Sequence, residues 1–167
     1  MLASVKSLGP IRIAALALLA LAATTSQAQG RYTISADGSE VTDTTTRLVW
    51  KRCAEGLRWD GKACSGKLMK FKYAEAKQRV AAASTGNAAG WRIPSLSELK
   101  GILDRKAKKK PLIDPDAFPD TPKQQFWATR PGTDDDLNAW LVNFSNGKTY
   151  GNVGASRFPL RLVRGGS

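Results

Sequence analysis

A chain of 167 residues with 26 Lys and Arg against 14 Asp and Glu carries a formal net charge of +12; it has two cysteines and no histidine. Its length suits one domain with one core. The charge favours anionic partners such as sulfated or uronic glycans, lipopolysaccharide phosphates, nucleic acid or an acidic protein, while the missing histidine excludes Ser-His and Cys-His nucleophile pairs.

The first predicted element is a leader. Lys6 and Arg12 precede an apolar run from Ile13 to Ala23, and polar residues lead on to Ser26-Gln27-Ala28. This is the pattern of a secretory signal peptide, residues 1–28, and the run is well short of the roughly 20 residues that a membrane anchor needs. Residues 29–167 then form a single domain, which loses Lys6 and Arg12 and keeps a charge of +10. No later segment is apolar enough to span a bilayer. Export places the protein in the periplasm or outside the cell, so no nucleic-acid partner is expected.

A strand is predicted from Arg31 to Ser35, a hairpin turn at Asp37-Gly38, and a further strand around Arg47 to Lys51. Cys53 and Cys64 come next, an even and closely spaced pair in an exported chain, which predicts one disulfide closing the loop Cys53–Gly66. By the chain-entropy argument, a loop of about 12 residues gains about 3 kcal/mol from such a bond. Two thiols eleven apart lack the paired spacing of a zinc site, and no metal or cofactor is expected.

The stretch Phe71–Thr85 predicts a first helix, with Tyr73 or Ala74, Lys77, Val80 and Ala81 at helical spacing and Gly86-Asn87 as its stop. In "AGWRIPSLSELKGIL", Pro94 drives Ile93 toward extended geometry, and Ser95 with Glu98 forms a capping box for a second helix, Leu96 to about Asp104. Trp91, Arg92 and Pro94 would form the corner ahead of it, with Trp91 as core. Four prolines, Pro111, Pro115, Pro119 and Pro122, mark a long ordered loop. The remainder predicts strands at "QFWATRPG" and "AWLVNFSNGKTYGN", with a hairpin turn at Asn146-Gly147. A last strand, "FPLRLVRGG", would put Leu160 and Leu162 on one face and Arg161 and Val163 on the other. This order of elements predicts an α+β domain: two short helices packed on antiparallel sheet, with long irregular loops.

Eight motifs in succession carry a family resemblance: "DGSEVTDTTTRLVWKRC", "GLRWDGKACSG", "YAEAKQRV", "GWRIPSLSELKGIL", "LIDPDAFPDTP", "FWATRPG", "AWLVNFSNG" and "RLVRGG". Together, from about Gly38 to Gly166, they resemble the Lcl C-terminal domain family. The resemblance implies a C-type lectin-like fold, of the group that also holds formylglycine-generating sulfatase-modifying domains. It makes Trp91-Arg92-Ile93-Pro94 a framework corner, and it points to sulfated glycosaminoglycans, which the collagen-like adhesin that names the family is associated with binding. This chain has no Gly-X-Y stalk, so it cannot rely on collagen-type trimerisation. Formylglycine-generating enzymes use a cysteine pair in the substrate groove, whereas the pair here lies in a loop.

Four groups of residues are candidates for a site. Arg105, Lys106, Lys108, Lys109 and Lys110 place five cations in six positions, which is either a solvated face at a helix end or a contact for anionic polymers. Trp59, between Arg58 and Lys62, either plugs its loop against the sheet or offers a face to an acidic sugar. Trp50, Trp91, Trp127 and Trp140 read as core. Asp134, Asp135 and Asp136 form an acidic turn without the Glu-Pro-Asn, Gln-Pro-Asp or Trp-Asn-Asp triplets that hold calcium in C-type lectins, and so read as a solvated turn. Asp114 and Asp116 are the remaining carboxylate pair, with nothing in the sequence to set the separation that glycoside hydrolysis requires. The expectation is therefore a non-enzymatic, exported, adhesin-like binding module for anionic glycans or envelope polymers. The alternative is an accessory protein of the envelope or a surface appendage that binds another protein.

Overall fold

A computed structural model describes residues 30–85, 90–130, 139–151 and 155–165. The predicted leader, the acidic turn at Asp134, Asp135 and Asp136, and the helix stop at Gly86-Asn87 lie outside these residues. In chain order the elements are β1 (Tyr32–Ile34), β2 (Glu40–Asp43), β3 (Leu48–Lys51), β4 (Leu57–Trp59), β5 (Cys64–Gly66), β6 (Lys70–Phe71), α1 (Tyr73–Ala83), α2 (Leu96–Gly101), β7 (Gln125–Thr129), β8 (Ala139–Asn143), β9 (Thr149–Gly151), β10 (Phe158–Pro159) and β11 (Val163–Arg164). This is the α+β composition that the sequence predicts. The antiparallel pairing, however, is divided among four small sheets: β1-β2-β3-β11, β7-β8-β9, β4-β5 and β6-β10.

The first sheet begins with a turn built locally. Asp37 Oδ1 accepts from Ser35 Oγ at 2.6 Å and from the Ser39 amide at 3.1 Å, and Gly38 takes a φ of +70° that a side chain would resist. Alternation does the rest: Leu48 and Trp50 of β3 face inward, while Val49 and Lys51 remain half-exposed. Trp50 is opposite both Val41 on β2 and Val163 on β11, so strands from the two ends of the domain close over one tryptophan.

In the β7-β8-β9 sheet, β7 and β8 are buried on both faces, while β9 is half-exposed. Phe126, Ala128 and Val142 enter a core with Trp50, Leu99, Ile102 and Phe118; Trp127, Ala139 and Leu141 enter a second with Phe71, Tyr73, Ala76, Trp91 and Leu160. The helices divide accordingly, α2 contributing Leu99 to the first core and α1 contributing Tyr73 and Ala76 to the second.

Three sequence expectations are corrected. The inward face of α1 is Tyr73 and Ala76, with Val80 half-buried, while Ala74, Lys77 and Ala81 point to solvent. The capped second helix ends at Gly101 rather than near Asp104, because Ile102 leaves helical geometry and Leu103 and Asp104 turn into the proline loop. The last strand is two strands: β10 pairs with β6, and β11 pairs with β3. Between them the chain crosses from one sheet to another, so Leu160, Arg161, Leu162 and Val163 are all buried instead of alternating.

Candidate functional site

The Trp91 corner joins the two larger sheets. The Arg92 amide donates to Val163 O at 2.9 Å and accepts in return at its carbonyl, while the Thr129 amide donates to Pro94 O at 2.8 Å. The predicted capping box is present: Ser95 Oγ accepts from the Glu98 amide at 3.2 Å, and Glu98 Oε2 accepts from the Ser95 amide at 2.7 Å. The Glu98 carboxylate also receives the Arg92 guanidinium through two bonds of 2.7 Å. Burial works against its ionisation, but the Arg92 fork and the Ser95 amide prevail and hold its pKa below the ordinary value. Trp91 is 3 % exposed, with Lys51 Nζ 4.4 Å and Arg164 Cζ 4.7 Å from its ring. Its faces are committed to the fold.

The Cys53–Cys64 disulfide forms, with Cα atoms 5.5 Å apart. Inside it the chain is not the irregular loop that its glycines suggest but the β4-β5 hairpin, whose Trp59 is opposite Cys64. The hairpin turn is held by Asp60, which accepts from the Lys62 and Ala63 amides and from Ser65 Oγ; these bonds keep the exposed carboxyl at a pKa of about 2.

Trp59 is half-buried and packs against the turn between β1 and β2. A Cβ on Gly38 would lie 2.3 Å from its indole nitrogen, and the Arg52 guanidinium stacks 4.0 Å from its ring. What remains accessible lines a groove of about 520 Å³ with Lys51, Arg58 and Arg79. Glu55 in this groove is paired with Arg79 at 2.5 Å.

Arg105, Lys106, Lys108, Lys109 and Lys110 are all exposed, and none pairs with a described acid. Their loop is anchored: the Asp104 amide donates to Leu112 O at 3.0 Å, the Leu112 amide to Phe144 O at 2.7 Å, and Asp120 Oδ2 accepts from the Cys64 amide at 2.8 Å. Lys108, Lys109 and Lys110 line a groove of about 510 Å³. Arg105 lies instead toward the Gly147 turn, and Trp59 belongs to the other groove, so the structure does not bring all the candidate cations and the tryptophan together. Lys70 lines a third concavity with Lys123 and Arg157.

Asp114, from the remaining carboxylate pair, caps a turn by accepting from the Asp116 and Ala117 amides at 2.9 and 3.0 Å. Asp116 gives its main-chain carbonyl to Arg52 at 2.8 Å. Among the described residues, no group of three or more His, Cys, Asp or Glu side chains is placed to hold a metal ion.

Two arginines that the sequence reading did not single out are central to this half of the molecule. Arg161 is 1 % exposed and donates to Lys51 O at 2.7 Å, to Arg52 O, and to Thr121 Oγ1 at 2.8 Å. Arg52 donates to Gly38 O at 3.1 Å as well as to Asp116 O. Among the described residues neither forms an ion pair with a carboxylate, although Asp116 acts on Arg52 through its charge. One signal was present in "LRLVR": an arginine that shares a strand face with a valine, in a segment too apolar to leave that face in water.

A family model, the Lcl C-terminal domain, matches residues 39–164. No curated protein and no solved structure matches the chain. The match takes in every described strand but β1, both helices, the disulfide hairpin and the lysine loop; the chain belongs to the Lcl C-terminal domain family.

Proposed function

We propose that the protein is an exported, non-catalytic binding module for anionic glycans or other envelope polyanions, with Lys106, Lys108, Lys109 and Lys110 as the main contacts and Arg105 as a helper. The observation that carries this reading is that those five cations have no acid partner among the described residues, on a loop tied to β5 through the Asp120 side chain and to the end of β8 through the Leu112 amide. Exposed ammonium groups on a fixed base neutralise repeated sulfates or phosphates without demanding one stereochemistry. Such contacts are weak singly and fade once salt shortens the Debye length to about 8 Å. The reading includes the signal peptide at 1–28, residence in the periplasm or outside the cell, and a C-type lectin-like version of the α+β fold. Support for that fold comes from the antiparallel sheets, the two short helices and the long irregular loops.

The test is retention of residues 29–167 on a heparin column. Replacing Lys106, Lys108, Lys109 and Lys110 by serine should abolish retention while leaving the melting temperature unchanged. A quadruple variant that elutes at the wild-type salt concentration refutes the reading. The spread of cations over three separate concavities would then favour an accessory protein whose partner is another envelope protein.

A further inference from the structure

The groove beside the lysine run has walls that a hydrated sugar polymer does not use. Its volume of about 510 Å³ lies within the range of about 300–1,000 Å³ common to small-molecule sites. Ala107, Pro111 and Pro115 form apolar wall, Phe118 lies at its base, and the methylene stems of Lys108, Lys109 and Lys110 complete the rim. Several of the polar atoms on its surface are engaged, although the carboxylates of Asp104 and Asp120 also line it and leave the three lysines as its net positive charge. Thr121 Oγ1 donates to Phe118 O at 2.8 Å and accepts from Arg161; Asp104 Oδ1 accepts from the Lys106 amide at 2.9 Å, and Asp120 Oδ2 from the Cys64 amide. The lysine ammonium groups, by contrast, have no described acid partner.

We infer that this groove binds a single-chain amphiphilic anion, a phosphate-headed alkyl or acyl chain that packs against the prolines and the lysine stems while its head meets Lys108, Lys109 and Lys110. Charge complementarity selects the head. The apolar wall selects the chain, because a polyhydroxylated ring there would exchange water for surfaces that offer it no hydrogen bond. The inference rests on the reading of the lysine run as an anion site, and adds that the preferred anion carries an apolar body.

The test uses monomeric alkyl phosphates titrated calorimetrically into residues 29–167 at fixed salt. From ethyl through butyl and hexyl to octyl phosphate, affinity should rise about fourfold for each methylene buried, until the groove is filled. Octyl maltoside, with the same chain and no charge, should bind at least about tenfold more weakly than octyl phosphate. Ala107→Phe, which places a ring in the groove, should weaken octyl phosphate by at least about tenfold and leave heparin elution where it was. Equal affinity for ethyl and octyl phosphate overturns the inference on the wild-type protein alone; so does wild-type octyl phosphate affinity in a folded Ala107→Phe protein, or binding to anionic lipid vesicles without binding to the monomers. Each of these leaves the polyanion reading intact, since that reading is decided separately, by heparin retention of the wild type and its loss in the quadruple lysine variant.

Discussion

Replacing Arg161 by methionine sets two large effects against each other. The guanidinium is buried with no described carboxylate, and its Nε–H has no partner. Burial pulls its pKa down to about 9, which leaves it charged at neutral pH. Methionine removes a desolvation cost of several kcal/mol. It also strands Lys51 O and Arg52 O and removes one of the two bonds of Thr121 Oγ1, which still donates to Phe118 O; each acceptor left dry costs about 1–3 kcal/mol. The cation's place 5.0 Å from the Phe118 ring is lost too, a contact of about 1–2 kcal/mol when desolvated. The losses outweigh the gain, and the expected net is a destabilisation of about 3 kcal/mol, or a fall of about 10 °C in melting temperature for a domain of this size. Circular dichroism melts of the oxidised domain at neutral pH measure it directly, and heparin elution should not move. An Arg161→Met protein that melts at or above the wild type would show that desolvation dominates, and that the Lys51 and Arg52 carbonyls are satisfied without Arg161.

Three further outcomes are expected. Trp91→Ala should cost about 3–5 kcal/mol through the cavity it leaves and Ser95→Ala about 1 kcal/mol through the lost cap, both read by denaturant midpoint with heparin elution unchanged; loss of heparin retention by a stably folded Trp91→Ala protein would make the corner a binding site. Replacing Cys53 and Cys64 together by serine should lower stability by about 3 kcal/mol, and unchanged stability would show that the β4-β5 hairpin holds itself without the staple. In acid, Asp37 and Asp60 have folded pKa values of about 2, depressed from 3.8 chiefly by hydroxyl bonds from Ser35 and Ser65. Their contribution to stability is present above the unfolded pKa and is lost as pH falls from about 4 to about 2. Asp60→Asn should therefore flatten the decline of melting temperature over that interval, and a decline identical to that of the wild type would contradict the assigned bonds.

Features set within a few residues were legible in the sequence. The Asp37-Gly38 turn, the Ser95–Glu98 box and the Asn146-Gly147 turn each follow from local hydrogen bonds and permitted φ, and the disulfide follows from an even, closely spaced pair of cysteines. Features set by distant partners were not. The β4-β5 strands are three residues each, too short to show a period, and are recognisable only once Cys53 and Cys64 are joined. The division of "FPLRLVR" into β10 and β11 depends on β6 and β3, both far upstream, and nothing local announces it. Arg161 was assigned by alternation to the side opposite Leu160 and Leu162, yet its environment is made by carbonyls and aromatic rings from three other segments. The lysine run was visible as charge, whereas the apolar groove beneath it arises from Phe118 and the prolines folding back, which spacing alone does not show.

The pairing of β3 with β11 has a consequence for how the molecule comes into being. A chain made from its amino end produces the β1-β2-β3 meander early, but the strand that closes over Trp50 arrives about 110 residues later, and contacts so distant in sequence are slow to form. The oxidised hairpin can exist before that moment; the finished interior cannot. Closure of the interior therefore waits for the segment that carries β11. A chain stalled or clipped before Val163 would leave Trp50 without the strand that covers it, and so open to proteolysis.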